Sequence, residues 1–486
     1  MRCRPRLLVL LAAAATLAGC NGSDDSGDDS PGAPIGPNHA DAPDAPNVLL
    51  VLTDDQDRAS VEAMPRLRRL VANQGVTFTD AYATVPECCP SRASILTGQY
   101  AHNHGVLSNE PPDGGVDAFD DSNALPVWLH DADYRTAYVG KYLNGYGWPA
   151  LGNDPTAIPA GWDDWIALTD HAEYQLYDYT LNENGQLVDY GDSPGDYQTD
   201  VLADHAVRLL EQSGGSEAPF FLTVAPVAPH DEGVLEGRDV PRNPRPAPRH
   251  RGAFSTDPLP QGPAFNEPDV SDKPEYVAKD PALDADEISD LTTLQRSRLE
   301  SLLAVDELVG RLIRSLRDDG ELADTLFVYT SDNGFLLGEH RQIGKEKAYE
   351  ESSGVPLIIR GPGFEPETVE RRPVGNIDLA PTILDLTGGE PDLTIDGISL
   401  SELETHDGPL RPALLLELLS EHSYVGVRTG RYVFTERERG DTELYDLKRD
   451  PHQLENLAGR PAYSSLERRL SALTERLANC SGAACR

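Results

Sequence analysis

The chain has 486 residues, 25% charged and 39% hydrophobic, ordinary figures for a globular protein large enough to bury a sizeable core. Its formal net charge of −40 argues against nucleic acid as a partner and repels polyanions at long range, a field that salt screens. An anionic substrate therefore requires a local basic pocket, and most of the acids read as a solvated, solubilising surface.

Residues 1–20 read as a targeting segment. Arg2, Arg4 and Arg6 precede an apolar run, Leu7 to Leu17, too short to span a bilayer as a helix. Leu17-Ala18-Gly19-Cys20 resembles a bacterial lipoprotein box, in which Cys20 takes lipid and becomes the mature N-terminus; an ordinary secretory signal is the alternative. Either reading exports the chain, and the first anchors it to the bacterial cell envelope on the periplasmic or extracellular face. Losing these residues, which hold three arginines and no acid, moves the net charge from −40 to −43. Residues 21–46, rich in Gly, Ser, Pro, Asp and Ala, bury too little to offset ordering and are expected to be a disordered tether.

The folded part is expected from Asn47. Val48 to Leu52 is a continuous aliphatic run, as in a strand buried on both faces of a parallel sheet, and it ends in Thr53-Asp54-Asp55-Gln56-Asp57. Acids past the C-terminal end of a parallel strand lie where open α/β sheets bind ligands; the same pair also fits a helix N-cap. A helix is expected over 64–74 and a short strand over 76–78. The loop Val85 to Gly98, VPECCPSRASILTG, follows, with a helix after Arg92 that puts Cys88 near an N-terminus favouring anions. Beyond it runs Gln99-Tyr100-Ala101-His102-Asn103-His104-Gly105. A helix over 125–130 and a strand over 134–139 lead to Gly140-Lys141-Tyr142-Leu143-Asn144-Gly145. Residues 150–200 read as decorated loops with a hairpin around 179–188.

A helix over 199–211 and a strand over 220–224 lead to Ala225-Pro226-Val227-Ala228-Pro229-His230. Residues 238–285 are Pro-rich and aperiodic, an insertion suited to lining a substrate cleft. Apolar residues from Leu291 to Leu316 fall mostly on helical spacing, so a long helix is expected over 289–319. The strand after it, 326–330, closes in Ser331-Asp332-Asn333-Gly334, a second acidic strand end. Lys345 and Lys347 follow, then a strand over 355–360 and a helix from Asn376. After residue 405 the pattern becomes four short strands and an amphipathic helix over 461–479. The expected plan is a catalytic domain over 47–404 and a small α+β subdomain over 405–486. Cys480 and Cys485 close a short loop and are expected to pair in an oxidising compartment.

Cys88, Pro90-Ser91-Arg92 and Leu96-Thr97-Gly98 resemble the C-x-P-S-R-x-x-x-L-T-G signature of the type I sulfatases, and every fixed position matches. The alternative for the cysteine pair alone is a buried pair before a helix. With Gly-Lys-Tyr-Leu-Asn and the His-Asn-His run, the chain resembles most the N-acetylglucosamine-6-sulfatases and the heparan 6-O-endosulfatases, over residues 47 to about 400 and more loosely to 460. The resemblance implies an alkaline-phosphatase-like α/β fold: a large mixed, mostly parallel sheet sandwiched by helices, plus a small C-terminal antiparallel sheet with a helix. It implies that a maturase oxidises Cys88 to formylglycine. It implies Ca²⁺, with Mg²⁺ second, held by Asp54, Asp55, Asp332, Asn333 and the oxidised residue 88, a set of hard oxygen donors unsuited to zinc.

It further implies that Arg92, Lys141 and Lys345 hold the sulfate and that His230 serves the leaving oxygen, with Lys347 the competitor for Lys345. Solvated lysines and a capping or core histidine are the bland alternatives. One position departs from the family: Leu143 stands where many sulfatases carry a histidine, so His102 or His104 is expected to serve instead. His130, His171, His205, His250, His406, His422 and His452 have no motif around them. The expected activity is hydrolysis of a sulfate monoester on a carbohydrate, most specifically 6-O-sulfated N-acetylglucosamine, as in glycosaminoglycan degradation. The alternatives are a phosphomonoester, phosphodiester or phosphonate hydrolase on the same fold, and a non-catalytic lipoprotein that binds sulfated glycans.

Overall fold

Alternation along the first strand, β1 (Asn47–Thr53), decides the layering. Val48, Leu50 and Leu52 enter one core, Leu49 and Val51 another, and all are buried. A strand that is apolar on both sides must be covered on both sides, and helices do the covering. The computed structural model describes residues 45–486 apart from 217, 233–242, 407, 420–422 and 438–439. The expected signal segment, the Cys20 lipidation site and residues 21–44 of the tether lie outside the described residues.

Nine more strands join β1: β2 (Val76–Phe78), β3 (Arg135–Gly140), β4 (Asp164–Leu168), β5 (Thr180–Glu183), β6 (Gln186–Asp189), β7 (Phe220–Ala225), β8 (Thr325–Ser331), β9 (Leu357–Arg360) and β10 (Thr368–Glu370). Their order is β10-β2-β9-β8-β1-β7-β3-β4-β5-β6. The centre, β8 to β4, is parallel, while β9 and the β5–β6 hairpin run antiparallel to their neighbours. Strand β4 was not among the sequence expectations, because its five residues lie in a stretch of turns with no period of its own.

Over one face pack α1 (Cys88–Thr97), α2 (Leu125–Asp131) and a later helix, Leu379–Thr387; over the other pack α3 (Gln198–Ser213) and α4 (Ala285–Asp318). The long helix α4 begins earlier than its apolar period suggests. Its first turn is polar and is started by a capping box, in which Asp284 accepts from the N–H groups of Asp286 and Glu287 while Glu287 reaches back. Four strands, β11 (Leu414–Leu418), β12 (Tyr424–Arg428), β13 (Tyr432–Glu436) and β14 (Thr442–Asp446), make the C-terminal antiparallel sheet. The amphipathic helix α5 (Ser464–Leu477) covers it, and their shared core takes in Tyr100 and Ile377 from the larger body. Cys480 and Cys485 form a disulfide at its edge. Among the described residues no helix is long and apolar enough to cross a membrane.

Candidate active site

Because β1 and β8 are parallel neighbours with Thr53 opposite Ser331, their acidic ends leave the sheet at the same level. The Asp55 N–H donates to Asp332 Oδ1 at 3.0 Å, and Asn333 Nδ2 donates to Asp55 Oδ1 at 2.7 Å. Asp55 sits at φ 61°, a left-handed conformation that Asp tolerates better than most side chains. Helix α1 brings the third component. Cys88 is its first residue, with Sγ 3.6 Å from Asp54 Oδ1. Ser91, one turn on, donates to the Asp332 carbonyl and accepts from Asn376 Nδ2 at 2.9 Å, which ties the helix to the second strand end.

Arg92, four residues after Cys88, points back into the cluster. Its Nε lies 2.8 Å from Asp332 Oδ2, its Nη2 3.4 Å from Asp54 Oδ2, and its Nη1 donates to the Lys141 carbonyl at 2.6 Å. Lys141, just beyond β3, donates to Asp54 Oδ2 at 2.5 Å and to the Tyr174 hydroxyl at 3.1 Å. Lys345 donates to Asp55 Oδ1 at 2.6 Å and lies 2.8 Å from Cys88 Sγ. His230, following β7, has Nε2 3.4 Å from Asp55 Oδ2, and its ring rests against Tyr174. Lys347 lies over the ring of Tyr276 and is not among the groups that touch the acids.

Electrostatics follow from this packing. Burial alone would raise the Asp54 carboxyl, but Lys141, His230 and Arg92 outweigh it and bring it down to about 2. Asp55 is likewise pulled down against its burial, by Lys345 and His230. Lys141 and Lys345 are held well above the usual ammonium range, burial being overcome by Asp54 and Asp55 respectively. The Cys88 thiol goes the other way: burial and then Asp54 push it up, so it stays a neutral thiol. An unmodified thiol so placed is a poor nucleophile.

Three carboxylates here answer three cations, which leaves no surplus positive charge for a bound anion. A divalent metal would supply that surplus, and the donors fit one. The ligand atoms of Asp54, Asp55, Cys88 and His230 all lie within 4.8 Å of one another, and Asn333 Oδ1 is buried without a hydrogen-bond partner. The carboxylate and amide oxygens of Asp54, Asp55 and Asn333 suit Ca²⁺ or Mg²⁺.

The structure does not bring His102 or His104 to this cluster, and the expectation that one of them stands in for Leu143 is corrected. His102 bonds Glu417 through Nδ1 at 3.0 Å and the Cys480 carbonyl through Nε2 at 3.1 Å. His104 bonds Ser94 Oγ at 3.0 Å and accepts from the Val106 N–H, and burial pushes its imidazole down to about 3. Leu143 itself is buried in the core that holds Tyr138, Tyr142, Tyr146 and Trp165.

Two site residues were missed. Tyr174 accepts from Lys141 and from Asn144 Nδ2, the latter at 2.6 Å; it lies in the aperiodic stretch and carried no signal. Arg298 carried one, a charged residue on the apolar stripe of α4. It is buried, and it donates to the Asp55 and Pro229 carbonyls while packing on Phe335.

Two cavities open at His230. One, about 580 Å³, is lined by Asn144, Trp148, Asp170, Glu173 and Tyr174; the other, about 740 Å³, by Asp55, Phe335 and Lys345. Of the expected insertion only Asn243 lines either cavity, among the described residues.

The family model described as Sulfatase matches residues 46–389. The chain belongs to the sulfatase family. A second model, N-sulphoglucosamine sulphohydrolase, C-terminal, matches residues 338–480 of the sulfatase. The N-acetylglucosamine-6-sulfatase of Homo sapiens is 34% identical over 90% of the chain and 86% of its own length. An arylsulfatase of Volvox carteri is 32% identical over 90% of the chain and 75% of its own. A solved structure of a protein in complex with its substrate, D-glucosamine-2-N,6-O-disulfate, superposes with a TM-score of 0.72 at 27% identity, over 89% of the sulfatase and 97% of that chain. The mixed sheet between helices, with its small antiparallel partner, is the alkaline-phosphatase-like architecture of such enzymes, and the sulfatase is an enzyme of the sulfuric ester hydrolase class.

Proposed function

We propose that the chain releases sulfate from the 6-O position of a glucosamine-type sugar, with residue 88 as the nucleophile after oxidation of Cys88 to formylglycine. The observation that carries this is the setting of Cys88: first in its helix, between Asp54 and Lys345, with Arg92 and Lys141 held on the same carboxylates. The sugar is inferred from the similarity to N-acetylglucosamine-6-sulfatases.

Asp54, Asp55, Asp332, Asn333 and the oxidised residue 88 would hold Ca²⁺. Metal and formylglycine together would supply charge neutralisation at the sulfonyl oxygens and a hydrated aldehyde, with one hydroxyl to attack and another to assist release. The side chains do the rest. Arg92, Lys141 and Lys345 orient the sulfate by charge-assisted hydrogen bonds, and their carboxylate partners keep all three protonated. His230 Nε2, beside Asp55 and the mouth of both cavities, holds or supplies the proton for the departing alcohol. With Leu143 in the core, Tyr174, linked to Lys141 and packed on His230, orders this side of the site.

We further infer a catalytic domain over 47–404 and a small subdomain over 405–486. Export with a lipid on Cys20, and maturation of Cys88 by a formylglycine-generating partner, complete the reading.

Mass spectrometry of the peptide containing residue 88, from protein made with a maturase, is expected to show the aldehyde. The same preparation should release sulfate from N-acetylglucosamine 6-sulfate and favour aryl sulfate over aryl phosphate. An intact thiol in a preparation that turns over, or a preference for phosphate, would overturn the reading.

A further inference from the structure

The 580 Å³ cavity beside Tyr174 is walled by acids and has no lysine or arginine among its described lining residues. Its volume is within the range of small-molecule sites. At its rim Trp148 and His171 stack at 4.7 Å and 9°, a flat aromatic edge suited to the apolar face of a pyranose. Glu232, in the same wall, is closed off by Arg245 at 2.6 Å. Glu173 has no such answer. It is 3% exposed, and no cation or hydroxyl answers its carboxyl oxygens, whose side-chain neighbour is the carboxyl of Asp170.

Burial and then the neighbouring Asp170 push the Glu173 carboxyl well above its usual range. Asp170 is fixed by the Gly145 N–H at 2.8 Å. The two acids therefore set two carboxyl groups side by side in a wall that has no lysine or arginine among its described lining residues. A buried acid facing a cavity without a donor is costly, and a ligand that brings a donor removes that cost.

We propose that this cavity seats the glucosamine ring and that Glu173, with Asp170, is a specificity determinant. It selects a ring whose second substituent is a hydrogen-bond donor, best a protonated free amine, and rejects one carrying a second anion such as N-sulfate. The inference rests on the sugar-sulfatase reading above and narrows its substrate. It also separates this chain from the structural relative whose substrate is N-sulfated.

The test is steady-state sulfate release by the matured enzyme from four probes: glucosamine 6-sulfate, N-acetylglucosamine 6-sulfate, N-sulfoglucosamine 6-sulfate and an aryl sulfate. The kcat/KM for the free amine is expected to exceed that for the N-sulfated sugar by about tenfold or more, with N-acetyl between, as one added like-charge contact predicts. Glu173→Gln should shrink that ratio by roughly tenfold, mainly through KM, with thermal unfolding reporting that the variant is folded. Equal use of free-amine and N-sulfated sugars by the unsubstituted enzyme overturns the proposal whatever the variant does. So does an unchanged ratio in folded Glu173→Gln. Turnover without preference sinks this inference alone, whereas no release from any probe sinks the sugar-sulfatase reading and this with it.

Discussion

Two polar clusters, one at the start of α1 and one in the short helical turn Ala101–His104 that follows it, differ in closure. Around Cys88, three acids and three cations converge, yet Asn333 Oδ1 has no partner, Arg92 Nη2 has only a long contact, and a cavity opens at His230. Around His102, the imidazole is used at both nitrogens, Asn103 Nδ2 meets Asp396 and the Cys480 carbonyl, and the Gly482 N–H meets the other Asp396 oxygen. The second cluster is satisfied by protein alone and staples the chain's last residues to the larger body. The first is left incomplete on the side where a ligand enters. Unanswered polar atoms, more than charge content, separate a working site from a structural one.

Substitutions on either side sharpen that contrast. Cys88→Ala should lower sulfate release by on the order of a thousandfold or more, measured as kcat, because it removes the proposed nucleophile. Next comes Lys345→Ala, expected to cost roughly a hundredfold in kcat/KM; Lys347→Ala, whose ammonium lies over Tyr276, should cost no more than a few-fold. A larger loss at 347 than at 345 would reverse the assignment.

In the closed cluster the loss should be in stability. His102→Ala is expected to lower unfolding free energy by about 1–3 kcal/mol in denaturant titrations, leaving Glu417 without the imidazole and the Cys480 carbonyl with Asn103 alone, while kcat changes by less than about threefold.

The smallest effect concerns pH. His104 is held neutral down to about 3, against an ordinary 6.5, so below pH 6.5 the unfolded chain takes up a proton that the folded one refuses. That stability is full above pH 6.5 and falls as pH drops toward 3. Asp54, at about 2 against 3.8, loses its share only between those values. Thermal unfolding between pH 7 and 4.5 should therefore flatten in His104→Gln, and an unchanged slope would remove His104 as the cause.

Much of this was legible in the sequence. The strand ends at Asp54-Asp55 and Asp332-Asn333 could be read because continuous aliphatic runs announce buried parallel strands, and the cysteine loop because its spacing is local. The two acid pairs meet through a strand register that spans 277 positions between Asp55 and Asp332, which only the parallel pairing supplies. His102 was misread for the same reason in reverse. The partners that absorb His102, Glu417 and Cys480, lie 315 and 378 residues away, and nothing near the histidine signals them. Tyr174 and Glu173 were invisible because their stretch has no period. Arg298 could have been found, since a charge on the apolar stripe of a long helix has to be answered inside the protein.

Arg298 has a mechanical consequence. One guanidinium on the long helix grips the backbone of Asp55 and that of Pro229, immediately before His230. Asp55 and the segment that carries His230 are thus yoked to the same rod. Removing that one guanidinium therefore loosens both backbone segments at once, although they lie on separate strand ends.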